Sequence, residues 1–363
     1  QSRLLTRKDR ERADTGAEVK SFLSFIVLCF SCAGTPAAAH HSFAPHFDPD
    51  SSVTITGTIT GFEQRNPHSY LRIAVRGENG EIEEFECESS GITQLRRNGI
   101  DADILTTGST VTLTGQQHRR DPHKCFFRTV QVDDGPLLSI SGAGTQLDYA
   151  DDIGGNTGQR GIFGNWLLIP AGDRAGNGES YEEMLAFLTE EGRLAEASYE
   201  PIKDDPVYTC HPIGLRRVWF APGTPTAITR EADRIIIKHE WMDVERIVHL
   251  EPVEPDRTRP RDTFGRSVGR IEDGVLTIET DDYPAGLVRQ YVGVNNEPPF
   301  RGLLHSDQLR TTEIVRYDDD QQTLEVTMLF EDSGYYTREF PPAITRYERT
   351  DLKIRPFGCT PDK

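Results

Sequence analysis

The sequence predicts a mainly β protein. An N-terminal OB-like five-stranded barrel is followed by a larger antiparallel β barrel or sandwich with one helix. Three observations predict this. Short runs that alternate apolar and polar residues, the period of a half-buried strand, recur through most of the chain from residue 53 onward. The first five runs are interrupted once, after the third, by a helix-like stretch, which is the element order of an OB-type barrel. A Gly-, Asp- and Asn-rich segment at 141–160 then separates them from a second, longer series of strands. The domains are therefore a leader over 1–39, an OB-like domain over 40–140, a linker over 141–160 and an antiparallel β domain over 161–363.

The leader comes first. The apolar run Phe22 to Phe30 is shorter than the ~20 residues of a membrane helix and suits the core of a signal peptide. Ala37-x-Ala39 is the small-residue pattern that signal peptidase reads, so the cut is expected after Ala39, with His40 as the new N-terminus. Gln1 to Glu18 is unlike a signal start, and Val19-Lys20 reads as the true beginning. A lipid anchor on Cys32 is the weaker alternative. A periplasmic or secreted location follows, with no membrane span after the signal is removed. The leader carries six Lys/Arg and four Asp/Glu, a net +2, so its loss takes the charge from -18 to -20. Such an acidic chain repels phosphate backbones, which argues against nucleic acid as a partner.

The first domain reads in order. Val53 to Phe62 alternates strictly, Tyr70 to Val75 alternates again, and Glu81 to Cys87 is a third strand after a turn at Gly80. Gly91 to Asn98 is the short helix. Thr110 to Gly115 and Phe126 to Val132 are strands four and five. In the second domain Tyr181 to Glu191 is the best helix, with Ser180 as N-cap and Glu183 at the capping-box position. Strands are then predicted at Arg217–Phe220, Ala227–Thr229, Arg234–His239 and Glu245–Leu250. Further strands follow at Ser267–Ile271, Val275–Thr280, Leu309–Tyr317, Thr323–Glu331 and Tyr335–Phe340. So many strands avoid open edges by closing into a barrel or packing as a sandwich.

Cys29 and Cys32 leave with the signal. Four cysteines remain, Cys87 and Cys125 in the first domain, Cys210 and Cys359 in the second. In an exported chain an even number suggests disulfides, and four cysteines allow three connectivities. One bridge in each domain is expected. By loop entropy the 210–359 bridge would add on the order of 4–5 kcal/mol.

Two stretches carry a family resemblance. Ala39-His40-His41-Ser42-Phe43, the strand Thr56-Gly57-Thr58-Ile59 and Asn66-Pro67-His68 with Tyr70 soon after resemble a family of small exported bacterial proteins of unknown function. This covers roughly residues 39–135. From about 189 to the end the chain resembles a second uncharacterised exported bacterial family, through Asp204-Asp205-Pro206, Cys210-His211-Pro212, Glu240-Trp241-Met242-Asp243-Val244, Gly274 to Thr280 and His305-Ser306-Asp307. It departs from that family in having His211-Pro212-Ile213-Gly214 rather than Pro-Pro-Gly after the first cysteine. Neither resemblance implies an activity. Gly164-x-Trp166 ahead of many antiparallel strands is similar to the opening of lipocalin-like barrels, which implies a lipocalin-like fold for the second domain.

Chemistry is concentrated in the histidines. Six of the ten lie between residues 40 and 123: His40, His41, His46, His68, His118 and His123. Copper(II) favours imidazole and amine nitrogens in planar arrangements. A free α-amine on His40 beside its own imidazole, with His41 or His68 completing the plane, would chelate copper, so His40, His41 and His68 are the predicted metal ligands. Solvated loop histidines are the plain alternative. No other cofactor is expected. Glu240 and Asp243 flank Trp241 as a conceivable glycosidase pair, yet acidic neighbours arise by chance among 58 acidic residues. His305-Ser306-Asp307 holds triad residue types, but contiguous residues cannot form the relay. There is no G-x-S-x-G, H-E-x-x-H or P-loop. Trp166, Trp219 and Trp241 read as core aromatics. The expected role is therefore that of an exported, non-enzymatic binding protein, with copper at the N-terminal histidines as its sharpest form. A lipocalin-like carrier of a small apolar ligand, or a hydrolase of an envelope polymer, is the alternative.

Overall fold

A computed structural model describes residues 43–361 except 141–153, 156–157, 159, 170–180, 202, 255–257, 259 and 292–300. Alternation makes the strands. Along Thr323–Glu331, the eighth strand of the barrel series below, buried and half-buried residues alternate up to the exposed Glu331, so each second side chain faces the interior.

The N-terminal part contains β1 (Phe47–Glu63), β2 (His68–Arg76), β3 (Ile82–Ser90), α1 (Ile92–Arg97), β4 (Thr110–His118), β5 (Lys124–Val132) and β6 (Leu138–Ser139). All five predicted strands and the short helix are present. They do not form the predicted five-stranded OB-like barrel. The result is a six-stranded sheet in the order β3-β2-β1-β4-β5-β6. The physical reason lies at the outer edge of β5. Three residue pairs, Glu86–Lys124, Cys87–Cys125 and Glu88–Phe126, join it in parallel to β3. Further along that edge Thr129 and Val130 pair with the unpredicted β6. The 17-residue β1 serves two partners, β4 with its first part and β2 with its last. The sheet crosses closely at Gly115, where a Cβ would overlap the Phe126 carbonyl.

The second part is a closed nine-stranded barrel. Its strands are β7 (Gly164–Leu168), β8 (Thr226–Glu231), β9 (Arg234–His239), β10 (Val244–His249), β11 (Arg266–Glu272), β12 (Val275–Asp281), β15 (Arg310–Asp318), β16 (Thr323–Glu331) and β17 (Ala343–Arg349). Closure comes from β17 pairing with β7. The barrel is thus a barrel rather than a sandwich, and it is not wholly antiparallel, because β10 and β11 run parallel. A separate hairpin, β13 (Gly286–Tyr291) with β14 (Arg301–His305), is inserted between β12 and β15.

The expected single helix over 181–191 is two helices, α2 (Tyr181–Leu185) and α3 (Glu190–Ser198). Thr189 caps α3, its hydroxyl accepting from Gly192 N, which explains the break between them. The predicted cap Ser180 lies outside the described residues. Arg217–Phe220, predicted as a strand, falls largely within α4 (Gly214–Trp219), which places Trp219 in the interior of the fold. Three apolar residues, Val218 to Phe220, fit a strand or a buried helix equally well. Tyr335–Phe340 is not a strand; Phe340 leads into Pro341-Pro342, which have no amide protons for a ladder. Both expected disulfides are present, Cys87–Cys125 and Cys210–Cys359.

Candidate functional site

The predicted ligands are considered first. His40 and His41 lie outside the described residues. They directly precede Ser42 and Phe43. Phe43 packs 5.2 Å from Phe47 and 5.2 Å edge-on from Phe126. His68 opens β2 and is buried, its Nδ1 4.0 Å from a Glu88 carboxylate oxygen. Glu88 sits on β3 opposite Phe126. The His118 and His46 rings are 6.2 Å apart, and His46 Nε2 shares a hydrogen bond with Tyr208 OH. His118 Nδ1 accepts from the amides of Arg120 and Asp121. Burial, then Arg120 and Lys124, hold the His118 pKa below its usual value, and Glu88 opposes them. His123 is half-exposed and pairs with Glu83. Among the described residues no three His, Cys, Asp or Glu gather as a metal cluster.

The suspected catalytic residues are otherwise engaged. Glu240 is fully buried and takes a two-pronged ion pair from Arg97, at 2.6 and 2.9 Å, plus the Arg355 amide. Asp243 accepts the amides of Phe357 and Gly358. Ser306 donates its hydroxyl to Asp332 and accepts from Gln308 N, while His305 Nδ1 faces the Ser306 carbonyl. Glu240 and Asp243 fasten Arg97 and the main chain of 355–358, while Ser306 and Asp307 border the cleft described below.

The barrel interior is packed and partly ionic. Arg246 on β10 reaches Glu313 on β15 with two hydrogen bonds, at 3.0 and 2.8 Å. Trp219 Nε1 donates to the same carboxylate at 2.6 Å. Arg246 also donates to Ser267, which bonds Thr280, and Tyr283 OH bonds Thr311. Burial works against the charge on Arg246, but the paired Glu313 outweighs it and holds the guanidinium pKa above its usual value. His239 stands edge-on to Trp219 at 4.8 Å. Burial, then Arg246, push its pKa down to about 3, so it is neutral in the fold. All three tryptophans are buried, as predicted; Arg349 lies 4.3 Å over Trp166.

Open space lies outside this core. A cleft of about 1020 Å³ runs between α3 and the segments flanking the β13–β14 hairpin, with Leu194, Ala195, Pro284, Ala285, Leu304 and Tyr335 on its walls. Leu194 is 67% exposed there, a large apolar side chain without cover. Next to it a charged trough of about 470 Å³ follows the barrel end where β11 begins and β12 ends. Arg261 belongs to both and pairs with Asp282 and Asp307. Arg266 holds Asp281 across the trough. The sequence signal for this cleft was faint: Leu194 lies beyond the predicted helix, and the hairpin has no predicted strand.

Residues 28–125 match the model of a family of unknown function, DUF6152. The match falls on the N-terminal resemblance and stops short of the barrel. No curated protein matches the chain. No helix among the described residues is long and apolar enough to cross a membrane.

Proposed function

We propose that this is an exported, non-enzymatic binding protein that carries a small ligand with an apolar body. The ligand lies in the cleft between α3 and the β13–β14 hairpin. The observation that carries the reading is the cleft itself. Its exposed lining is mostly apolar, with Leu194, Ala195, Pro284, Ala285, Leu304 and Tyr335 on the walls and Arg261, Ser306 and Asp307 among them. A lipocalin-type ligand position inside the barrel is disfavoured, because tryptophans and the Arg246–Glu313 pair already fill it. Arg261 and Asp307, at the shared border, would orient a polar end of the ligand. The test is fluorescence titration of the mature protein with an anilinonaphthalene probe. One site per chain is expected, at least tenfold weaker in Leu194→Asp with folding unchanged. Equal binding by the variant overturns the cleft.

Copper at His40, with His41 or His68, is a second reading, supported by the packing of Phe43, three residues after His40. Phe43 packs on Phe126, whose β3 partner Glu88 stands beside His68. Copper titration of protein processed to His40 tests it. One tight copper is expected, lost in His40→Ala and weakened in His68→Ala. Weak binding indifferent to His40 overturns it.

A further inference from the structure

In the N-P-H motif, Asn66 as well as His68 reaches beyond its own loop. Asn66 Nδ2 donates to the Phe357 carbonyl at 2.5 Å, and its own carbonyl accepts from Thr360 N at 2.7 Å. Asn66 and Cys359 form a parallel β-bridge, and Arg65 donates to the Pro361 carbonyl. These contacts are all to main-chain atoms of the segment 357–361, which turns at Gly358 (φ +60°). One is a backbone pair beside a single β-bridge, and two come from the Asn66 and Arg65 side chains.

The groups that hold Asn66 belong to the N-terminal part, while Asp243 of the barrel part accepts the Phe357 and Gly358 amides of the same segment. Thr93 fixes the Asn66 side chain at both ends, its amide donating to Oδ1 and its hydroxyl accepting from Nδ2. Ile92 N donates to the Arg65 carbonyl, which anchors the loop to the start of α1. A Cβ on Gly91 would overlap the Asn66 amide, so only glycine leaves the room. The seat lies within residues 28–125, which match the family model, and its occupant lies outside them.

We infer that Arg65-Asn66 with Thr93 is a recognition site for the main chain of a peptide segment, and that here the chain's own C-terminal segment fills it. The Cys210–Cys359 disulfide then acts as a tether that keeps the segment at high effective concentration beside its seat. A segment delivered in trans, such as the tail of a second copy, would bind the same groups.

The test has two arms. The first uses a Cys210→Ser chain ending at Arg355 and a labelled peptide of residues 356–363 carrying Cys359→Ser. Saturable binding is expected, roughly tenfold weaker when Asn66→Ala removes the amide. A folded chain that ignores the peptide, or binds it equally with Asn66→Ala, overturns the inference. The second arm uses the full chain after mild reduction and does not require the shortened chain to fold. The Thr360 amide should exchange with deuterium about tenfold faster in Asn66→Ala than in the parent, and equal exchange also overturns the inference.

Discussion

Inside the N-terminal sheet the inward side chains are Ile59, Leu71, Ile73, Leu113 and Phe127, joined by the Cys87–Cys125 bridge. Inside the barrel, tryptophan, isoleucine and valine share the space with Arg246, Glu313, His239 and a chain of hydroxyls. The difference follows from width. Eight strands already enclose an interior that side chains only just fill, and nine enclose more. Trp219, brought in from α4, and the reach of Arg246 to Glu313 span that extra width. The narrower sheet is held by apolar contact and one covalent link. The barrel adds to a larger apolar core a polar network whose members depend on one another.

The largest effect should come from breaking that dependence. Arg246→Met leaves Glu313 buried without its cation, and about 3–5 kcal/mol of stability should be lost in urea unfolding. Adding Glu313→Leu to the same protein should restore much of it. If Arg246→Met costs under about 1 kcal/mol, the two interiors do not differ as described.

The disulfide gives the next effect. Cys87→Ala with Cys125→Ala should cost about 2–4 kcal/mol. The two bridges should also differ under dithiothreitol. Cys87 and Cys125 are buried, at 0% and 1% exposed, while Cys210 and Cys359 are partly open to solvent. Mass mapping of alkylated thiols should find 210 and 359 labelled first, and labelling in the opposite order would reverse the assignment.

The smallest effect, over the first pH unit below about 6.5, is a pH slope from His239. Its folded pKa is about 3, below the unfolded value near 6.5. As pH falls through this window the unfolded chain takes up a proton that the folded chain refuses. Its contribution is therefore complete above about pH 6.5 and shrinks below it, by about 1.4 kcal/mol per pH unit. His239→Gln should remove this slope. A parent and variant with parallel pH profiles would show that His239 is not held neutral.

Much of the secondary structure was legible before the fold. Val53–Phe62 and Thr323–Glu331 declared themselves by strict alternation, and both cysteine pairs followed from their positions along the chain. Arg217–Phe220 misled because so short an apolar run has no period to measure. Strand β17 and the β13–β14 hairpin were not marked, although β17 closes the barrel. The histidine cluster drew attention to His68, but nothing local indicated that Asn66, two residues earlier, meets a carbonyl 291 residues away.

The sequence by itself determined which segments alternate, where turns break them and which half of the chain holds each cysteine pair. Those are properties of neighbouring residues, and side-chain period acts over a few positions. Tertiary structure alone decided that β6 lies along the edge of β5 beyond its three pairs with β3, that Arg246 faces Glu313 across 67 residues, and that α3 and the β13–β14 hairpin leave a cleft between them. Each depends on strands meeting across long loops, and the pairing that brings them together has no local signature.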